Sequence, residues 1–279
     1  MLDRKVFGLV VLVGIFAGIV GIVFTNLLHV IQHFTFGYND LSFGVGVAQA
    51  SGERRVWALL ACGLVGGIGW VLIHRYGGKL VEVKDAVKDV TKEMPPVTTL
   101  IHSTLQIITV AMGSPLGREV APREATSALI TWVMRYVKLT NENRSLLIAC
   151  ASGAGLAAVY NSPVSATIFV LETLLLTWNV RALSSAFIAC GIATFVVRLG
   201  LGDTVQYDMP QPVMIGNFAE FAVLIGIIIG VAVVFFDKSQ AYLPKFDRKS
   251  PKMILLSVIA FGLVGLMAVY FPAILGNGK

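Results

Sequence analysis

The residue types best suited to chemistry lie in one short stretch, Gly113-Ser114-Pro115-Leu116-Gly117-Arg118-Glu119-Val120-Ala121-Pro122-Arg123-Glu124. It gathers arginines, glutamates, prolines and glycines between two apolar flanks, Leu105 to Met112 and Ala125 to Val133, in a chain of mean hydropathy +0.79. Charge at membrane depth is costly, so ionisable side chains there line a pathway or pair internally. Glycine and proline break a helix at the same place, and broken backbone is tolerated in a bilayer only where it is buried or lines a cavity. One reading is a polar loop between two short spans. The other is a discontinuous helix, one half ending near Pro115 and the next beginning near Glu119, whose unpaired N-terminal amides face a small anion. Glu119 then sits where the anion would sit: ionised it plugs the site, and protonated it leaves, which allows proton and anion to exchange. The candidate anion-binding residues are Gly117, Arg118, Glu119 and Val120, with Arg118 holding the loop through carboxylate or carbonyl contacts and Pro122 shaping the break. The plainer role for Glu119 is a helix N-cap carboxylate.

These residues need elements to position them, and composition says which kind. Of 279 residues, 56% are hydrophobic and 14% charged, against about 25% charged in a soluble domain. Apolar runs recur along the whole length, so the fold class is an all-α polytopic membrane protein without a separate soluble domain. The net charge of +6 fits basic cytoplasmic loops; no Lys/Arg block with interleaved aromatics points to nucleic acid. Cys62, Cys150 and Cys190 sit singly in apolar runs, which indicates small buried hydrophobes rather than zinc or disulfides. No metal or cofactor site is expected. The run from Val6 to Phe24 is longer than a signal-peptide core, and Ala48-Gln49-Ala50 lies far beyond its end, so it reads as a retained first span.

Apolar segments fall at 6–32, 55–73, 101–116, 119–136, 146–160, 163–177, 182–199, 218–236 and 253–271. About 20 residues cross a hydrocarbon core, which the first, second and last three segments satisfy. The middle four are short, and breaks at 113–122 and 161–163 join them in pairs. Interrupted short segments are the best sequence pointer to a transporter's binding site. Asn161 and Pro163 are the structural residues of the second break. Connections 74–97 and 237–252 are lysine- and arginine-rich, whereas 200–217 carries Asp203 and Asp208 and no basic residue. The positive-inside rule puts the first two, and the N-terminus, in the cytoplasm of a cell-membrane protein. In 82–93 lysines alternate with acids, which predicts a short surface helix with i,i+4 pairs.

An internal repeat organises the segments. Leu9–Gly18 matches Phe221–Gly230, each with Gly-x-x-x-Gly, and Gly63-Leu64-Val65-Gly66 matches Gly262-Leu263-Val264-Gly265, about two hundred residues later. A glycine turn follows each copy, Gly77-Gly78-Lys79 and Gly276-Asn277-Gly278-Lys279. Opposite loop charge after the copies indicates inversion, since 37–52 holds Asp40 and no Lys or Arg. The expected organisation is a first repeat over 1–217, complete, and a second over 218–279, truncated, which makes the chain a fragment or truncated gene product. A full second repeat ends near about 420 residues.

Gly117-Arg118-Glu119 with Pro122 resembles the Gly-Arg-Glu-Gly-Pro motif of the CLC family of anion channels and proton-coupled anion antiporters. Ala149-Cys150-Ala151-Ser152-Gly153-Ala154-Gly155-Leu156-Ala157-Ala158-Val159-Tyr160-Asn161-Ser162-Pro163, followed by Ile168 to Glu172, is similar to that family's paired helices and their following glutamate. The resemblance implies a CLC-like inverted-repeat fold with short broken helices and Glu119 as external gate and proton acceptor. It also implies transport of small anions, chloride by default, by a channel or antiporter in a bilayer-embedded homodimer. Three departures stand out. Gly77-Gly78-Lys79-Leu80-Val81-Glu82 replaces a Gly-Ser-Gly-Ile-Pro whose serine coordinates the anion. Glu172-Thr173 replaces a glutamate pair whose second member relays protons. Val120-Ala121 replaces a single glycine. The first two departures are shared with the fluoride-selective branch, so fluoride–proton exchange is the alternative, and a non-transporting membrane fragment is another.

Other polar residues attract no role. His29, His33, His74 and His102 lie near span ends without metal spacing to carboxylates, and Ser114 and Ser152 lack a histidine base. Trp57, Trp70, Trp132 and Trp178 suit interface belts or packing. Arg123 and Glu124 are expected to pair with each other in the first turn of the new half-helix.

Overall fold

The computed structural model describes residues 3–38, 42–203, 218–240, 242 and 246–276. Asp40, Asp208, Lys245 and the last three residues of the second glycine turn lie outside the described residues. Among the described residues all regular structure is helical. In chain order the helices are α1 (Arg4–Phe36), α2 (Phe43–Gln49), α3 (Gly52–Tyr76), α4 (Val83–Lys88), α5 (Pro96–Ala111), α6 (Val120–Val133), α7 (Asn141–Tyr160), α8 (Pro163–Phe169), α9 (Val180–Leu201), α10 (Phe218–Gln240) and α11 (Lys252–Tyr270). A 3-10 turn extends α6 over Met134–Tyr136, a π turn extends α8 over Val170–Leu175, and a 3-10 turn at Pro272–Ile274 follows α11.

Every apolar segment read from the sequence is a helix, and α1, α3, α9, α10 and α11 are long and apolar enough to cross a membrane. The short α2 carries too little hydrophobic pattern to have been anticipated. Two compact units form, one of residues 1–206 with 248–279 and one of 207–247; the second is essentially α10, whose Gly226 and Gly230 stand in its aliphatic middle.

Within the first unit, small residues decide which helices touch. Beneath α7's run of alanine, glycine, cysteine and serine, backbones approach closely: a Cβ at Gly155 would sit 2.5 Å from the Pro122 carbonyl oxygen of α6. Thr126 reinforces that seam by donating to Pro122 O at 2.6 Å and lying 2.8 Å from Ala151 O. The two helices that carry the repeated Gly-Leu-Val-Gly, α3 and α11, pack on each other. Gly63 and Gly67 of α3 rest on Ser257, Val258 and Ile254 of α11, and Gly265 rests on Val56. Close approach through small residues is how membrane helices gain dispersion contact where lipid supplies no hydrophobic driving force.

Two expectations are corrected. The 82–93 stretch does not form a ladder of i,i+4 pairs: its helix is six residues long and buries Val83, Ala86 and Val87. The ion pair recorded there is Lys92–Asp89, at 4.0 Å with i,i+3 spacing. Burying three apolar residues against the bundle outweighs exposed pairs worth a few tenths of a kcal/mol (~0.3–0.5). The Thr91 hydroxyl and amide donate to Asp89 and hold its carboxyl below the usual range. The second correction concerns the helix before the break, which runs Pro96–Ala111 rather than 101–116. Proline at the first turn starts a helix without losing a needed amide, so the segment begins earlier than its apolar pattern does.

Candidate functional site

The break between α5 and α6 begins at Gly113, whose φ of 102° is open to glycine but strained for other residues. Its amide donates to Val110 O at 3.0 Å and the Ser114 amide to Thr109 O at 3.1 Å, which closes the end of α5. Two other elements pin the turn: Cys62 of α3 lies 3.4 Å from Thr109 O, and the Gly276 amide donates to Gly113 O at 3.1 Å. The chain then runs through Pro115 and Gly117 and re-enters helix at Val120, close to the expected position.

Glu119 precedes that helix with φ −71° and ψ −27°, and its side chain makes no capping hydrogen bond. The capping role is therefore not the one it plays. Its carboxylate folds back over Gly117, where any Cβ would collide with it. The Tyr160 hydroxyl, at the end of α7, donates to Glu119 Oε2 at 3.4 Å. Arg118 is buried, with its guanidinium carbon 5.9 Å from the Tyr160 ring centroid, within reach of a cation–π contact. A cavity of about 370 Å³ opens beside the break, lined by Trp70 of α3, by His102, Gln106 and Thr109 of α5, and by Gly117, Glu119 and Val120. Three of the four candidate anion-binding residues thus share one wall. Arg118 packs behind it.

Arg123 and Glu124 feel each other's charge, but their side chains turn to different partners. Arg123 turns toward α7 and α8, donating from Nε to Ser152 Oγ at 3.2 Å with its guanidinium carbon 4.5 Å from the Phe169 ring centroid. Glu124 turns toward α5, with Oε2 3.0 Å from His102 Nδ1 and accepting from Gln106 Nε2 at 3.1 Å. Neighbours on a helix point about 100° apart, so packing against two different partners separates them. His102 was passed over in the sequence because its acidic partner lies 22 residues away. The available signal was His102 and Gln106, an i,i+4 pair on a short segment leading into the charged break.

The second break is tighter. Asn161 ends α7 in the left-handed region with φ 53°, donates from Nδ2 to Asp203 Oδ1 at 3.0 Å and accepts from Arg198 Nε at 2.9 Å. Arg198 and Asp203 are themselves 3.2 Å apart, and Pro163 opens α8 at its first position. Glu172 is exposed on the π turn that follows. Cys62, Cys150 and Cys190 are buried free thiols.

Comparison with known proteins places this architecture. The voltage gated chloride channel family model matches residues 62–279. The chain belongs to that family. Among curated relatives of this voltage gated chloride channel family member, an H(+)/Cl(-) exchange transporter ClcA of Vibrio cholerae is 28% identical over 96% of this chain and 59% of its own length. The ClcA of Vibrio vulnificus is 26% identical over 97% of this chain and 60% of its own. This chain thus spans about three-fifths of the length of those relatives. A slow cyanobacterial Cl-/H+ antiporter seen by crystallography superposes with a TM-score of 0.73 at 20% identity, covering 100% of this chain and 67% of that one. At that identity the likeness is one of fold: an all-helical, multi-span membrane bundle.

Proposed function

We propose that this chain carries small anions across the cell membrane through the cavity at the α5–α6 break, with Glu119 as gate and proton acceptor. The observation that carries the reading is the position of the Glu119 carboxylate. It lies over Gly117 on the cavity wall at the start of α6, where unpaired helix amides favour negative charge. Two negative charges cannot share that place cheaply, so an entering anion and an ionised Glu119 compete for it. Chloride is the default substrate and protons are the exchanged partner, which accords with the names of the Vibrio relatives. In this reading 1–217 forms the first membrane repeat and 218–279 opens the second, inverted one, within a homodimer whose N-termini are cytoplasmic.

The test compares wild type with Glu119→Gln in vesicles, measuring anion efflux and proton uptake together between about pH 4.5 and 7.5. Glutamine mimics the protonated gate, so anion flux persists while pH dependence and proton movement disappear. Full proton coupling in Glu119→Gln overturns the gate. Cysteine labelling checks orientation: positions in 200–217 react from outside and positions in 237–252 from inside, and labelling of both from one side overturns the topology.

Fluoride–proton exchange is a second reading, favoured by Gly77-Gly78-Lys79 in place of an anion-coordinating serine and by Thr173 after Glu172. The Gly78 amide donates to Thr98 Oγ1 at 2.9 Å. Parallel chloride and fluoride efflux measurements separate the two substrates.

A further inference from the structure

We propose that His102, Gln106 and Glu124 form a second proton-binding site on the cavity that Glu119 occupies, and that this site hands its proton to Glu119 through water in the cavity. The inference rests on the gating reading above for its transport consequence, but not for its proton chemistry.

His102 Nδ1, Gln106 Nε2 and Glu124 Oε2 form a triangle with sides of 3.0, 3.0 and 3.1 Å. The His102 and Glu124 side chains are only 17% and 16% exposed, so a charge on one depends on the other. When the imidazole carries the proton on Nδ1, it donates to the Glu124 carboxylate. Once that proton has gone, the Gln106 amide can give one N–H to Oε2 and its other to Nδ1. The nitrogen therefore has a partner in either state, which is what a site that gains and loses a proton requires.

The surroundings suit a relay. His102 and Gln106 line the same cavity as Glu119, and Glu124 lies five residues beyond Glu119, about 7.5 Å along the helix. Arg123, between them in sequence, interacts electrostatically with both carboxylates. Several other charged or titratable groups on the neighbouring helices have further contacts or are exposed. From α7, Tyr160 donates to Glu119. On α3, Cys62 reaches Thr109 O, His74 bonds Trp70 O and Arg75 bonds Lys249 O. On α1, His33 bonds Tyr38 O and His29 is exposed. The charged residues of α4, Lys84, Asp85 and Lys88, are exposed.

The transfer balances. An N–H bond of the His102 imidazolium breaks, the proton crosses cavity water, and an O–H bond forms on Glu119. The pair passes from neutral (imidazolium with carboxylate) to minus one, Glu119 passes from minus one to neutral, and the total is unchanged. The pair then refills from water.

The test uses the full chain in lipid with ring-labelled histidine, followed by pH-difference infrared spectroscopy. In wild type the imidazole band lost in His102→Gln and the carboxylate band lost in Glu124→Gln change together in one pH step, apart from the bands of Glu119 and the other histidines. Glu124→Gln removes the carboxyl change, and His102→Gln identifies the imidazole. Glu119→Gln keeps the step but displaces its midpoint by about 0.3 pH unit or more, the interaction of unit charges about 10 Å apart in water-like surroundings. In vesicles, His102→Gln and Glu124→Gln each lower proton movement per anion by about tenfold or more. Separate carboxyl and imidazole steps, a midpoint indifferent to Glu119→Gln, or undiminished proton movement in both variants overturns the proposal. Absence of anion efflux from wild type overturns the transport reading instead, and the infrared steps in wild type and Glu119→Gln still decide the pair.

Discussion

Between α5 and α6 the chain uses Met112 to Glu119 to change direction, whereas between α7 and α8 it uses only Asn161 and Ser162. The longer break is held at its start, by hydrogen bonds at Gly113 and Ser114, and then runs along a cavity with its charged side chains sorted to different neighbours. The shorter one is held at its centre: one left-handed asparagine has both ends of its amide bound by an arginine and an aspartate that also pair with each other. Length makes room for charge. Compactness fixes an angle. A site that must exchange ions needs the first, and a helix pair that must hold still beside it needs the second.

The comparison breaks most readily at Gly113. A methyl there adds left-handed strain at φ 102° to a Cβ 2.9 Å from Phe36 and 3.2 Å from Leu59. Gly113→Ala should therefore cost about 3 kcal/mol or more, read as a fall in unfolding midpoint in detergent. A midpoint near wild type would mean the break does not depend on that turn. At the compact break, Asn161→Ala loses both the left-handed tolerance and the amide's two partners and should cost about 2 kcal/mol, with Arg198 and Asp203 partly exposed and so contributing modestly. Asn161→Gly keeps the backbone and should cost about 1 kcal/mol. If glycine is no better than alanine, the hydrogen bonds rather than the backbone hold this break. The smallest effect belongs to Glu172, exposed on the π turn away from the cavity lining. Glu172→Gln should leave anion efflux, proton movement and stability within error in the same vesicle and unfolding measurements; lost coupling would give the π turn after α8 a functional carboxylate of its own.

The helices were legible because apolar runs announce themselves by length, and Pro163 sits where a helix begins. The start of α6 was legible too, since glycine and proline flank Glu119 closely. The early end of α5 was not. Leu105 to Met112 and Leu116 are mostly apolar, and the turn at Gly113, tied to Gly276 far along the chain, stops the helix before Met112. The pairing of Arg123 with Glu124 was expected from adjacency, yet helix geometry points neighbours to different faces, and Ser152, Phe169, His102 and Gln106 supplied better partners from four other places in the chain.

The sequence by itself determined the membrane class, the number and order of apolar helices, the position of both breaks and the family, because each rests on composition, local periodicity or a contiguous motif. Tertiary structure alone decided that α3 and α11, which carry the repeated glycines, pack on one another. It also decided that Glu119 folds over Gly117 instead of capping α6, and that His102 meets Glu124 beside the same cavity. Those contacts join residues far apart in the chain, and which partner a buried charge finds depends on the helices that surround it, a choice no local pattern encodes.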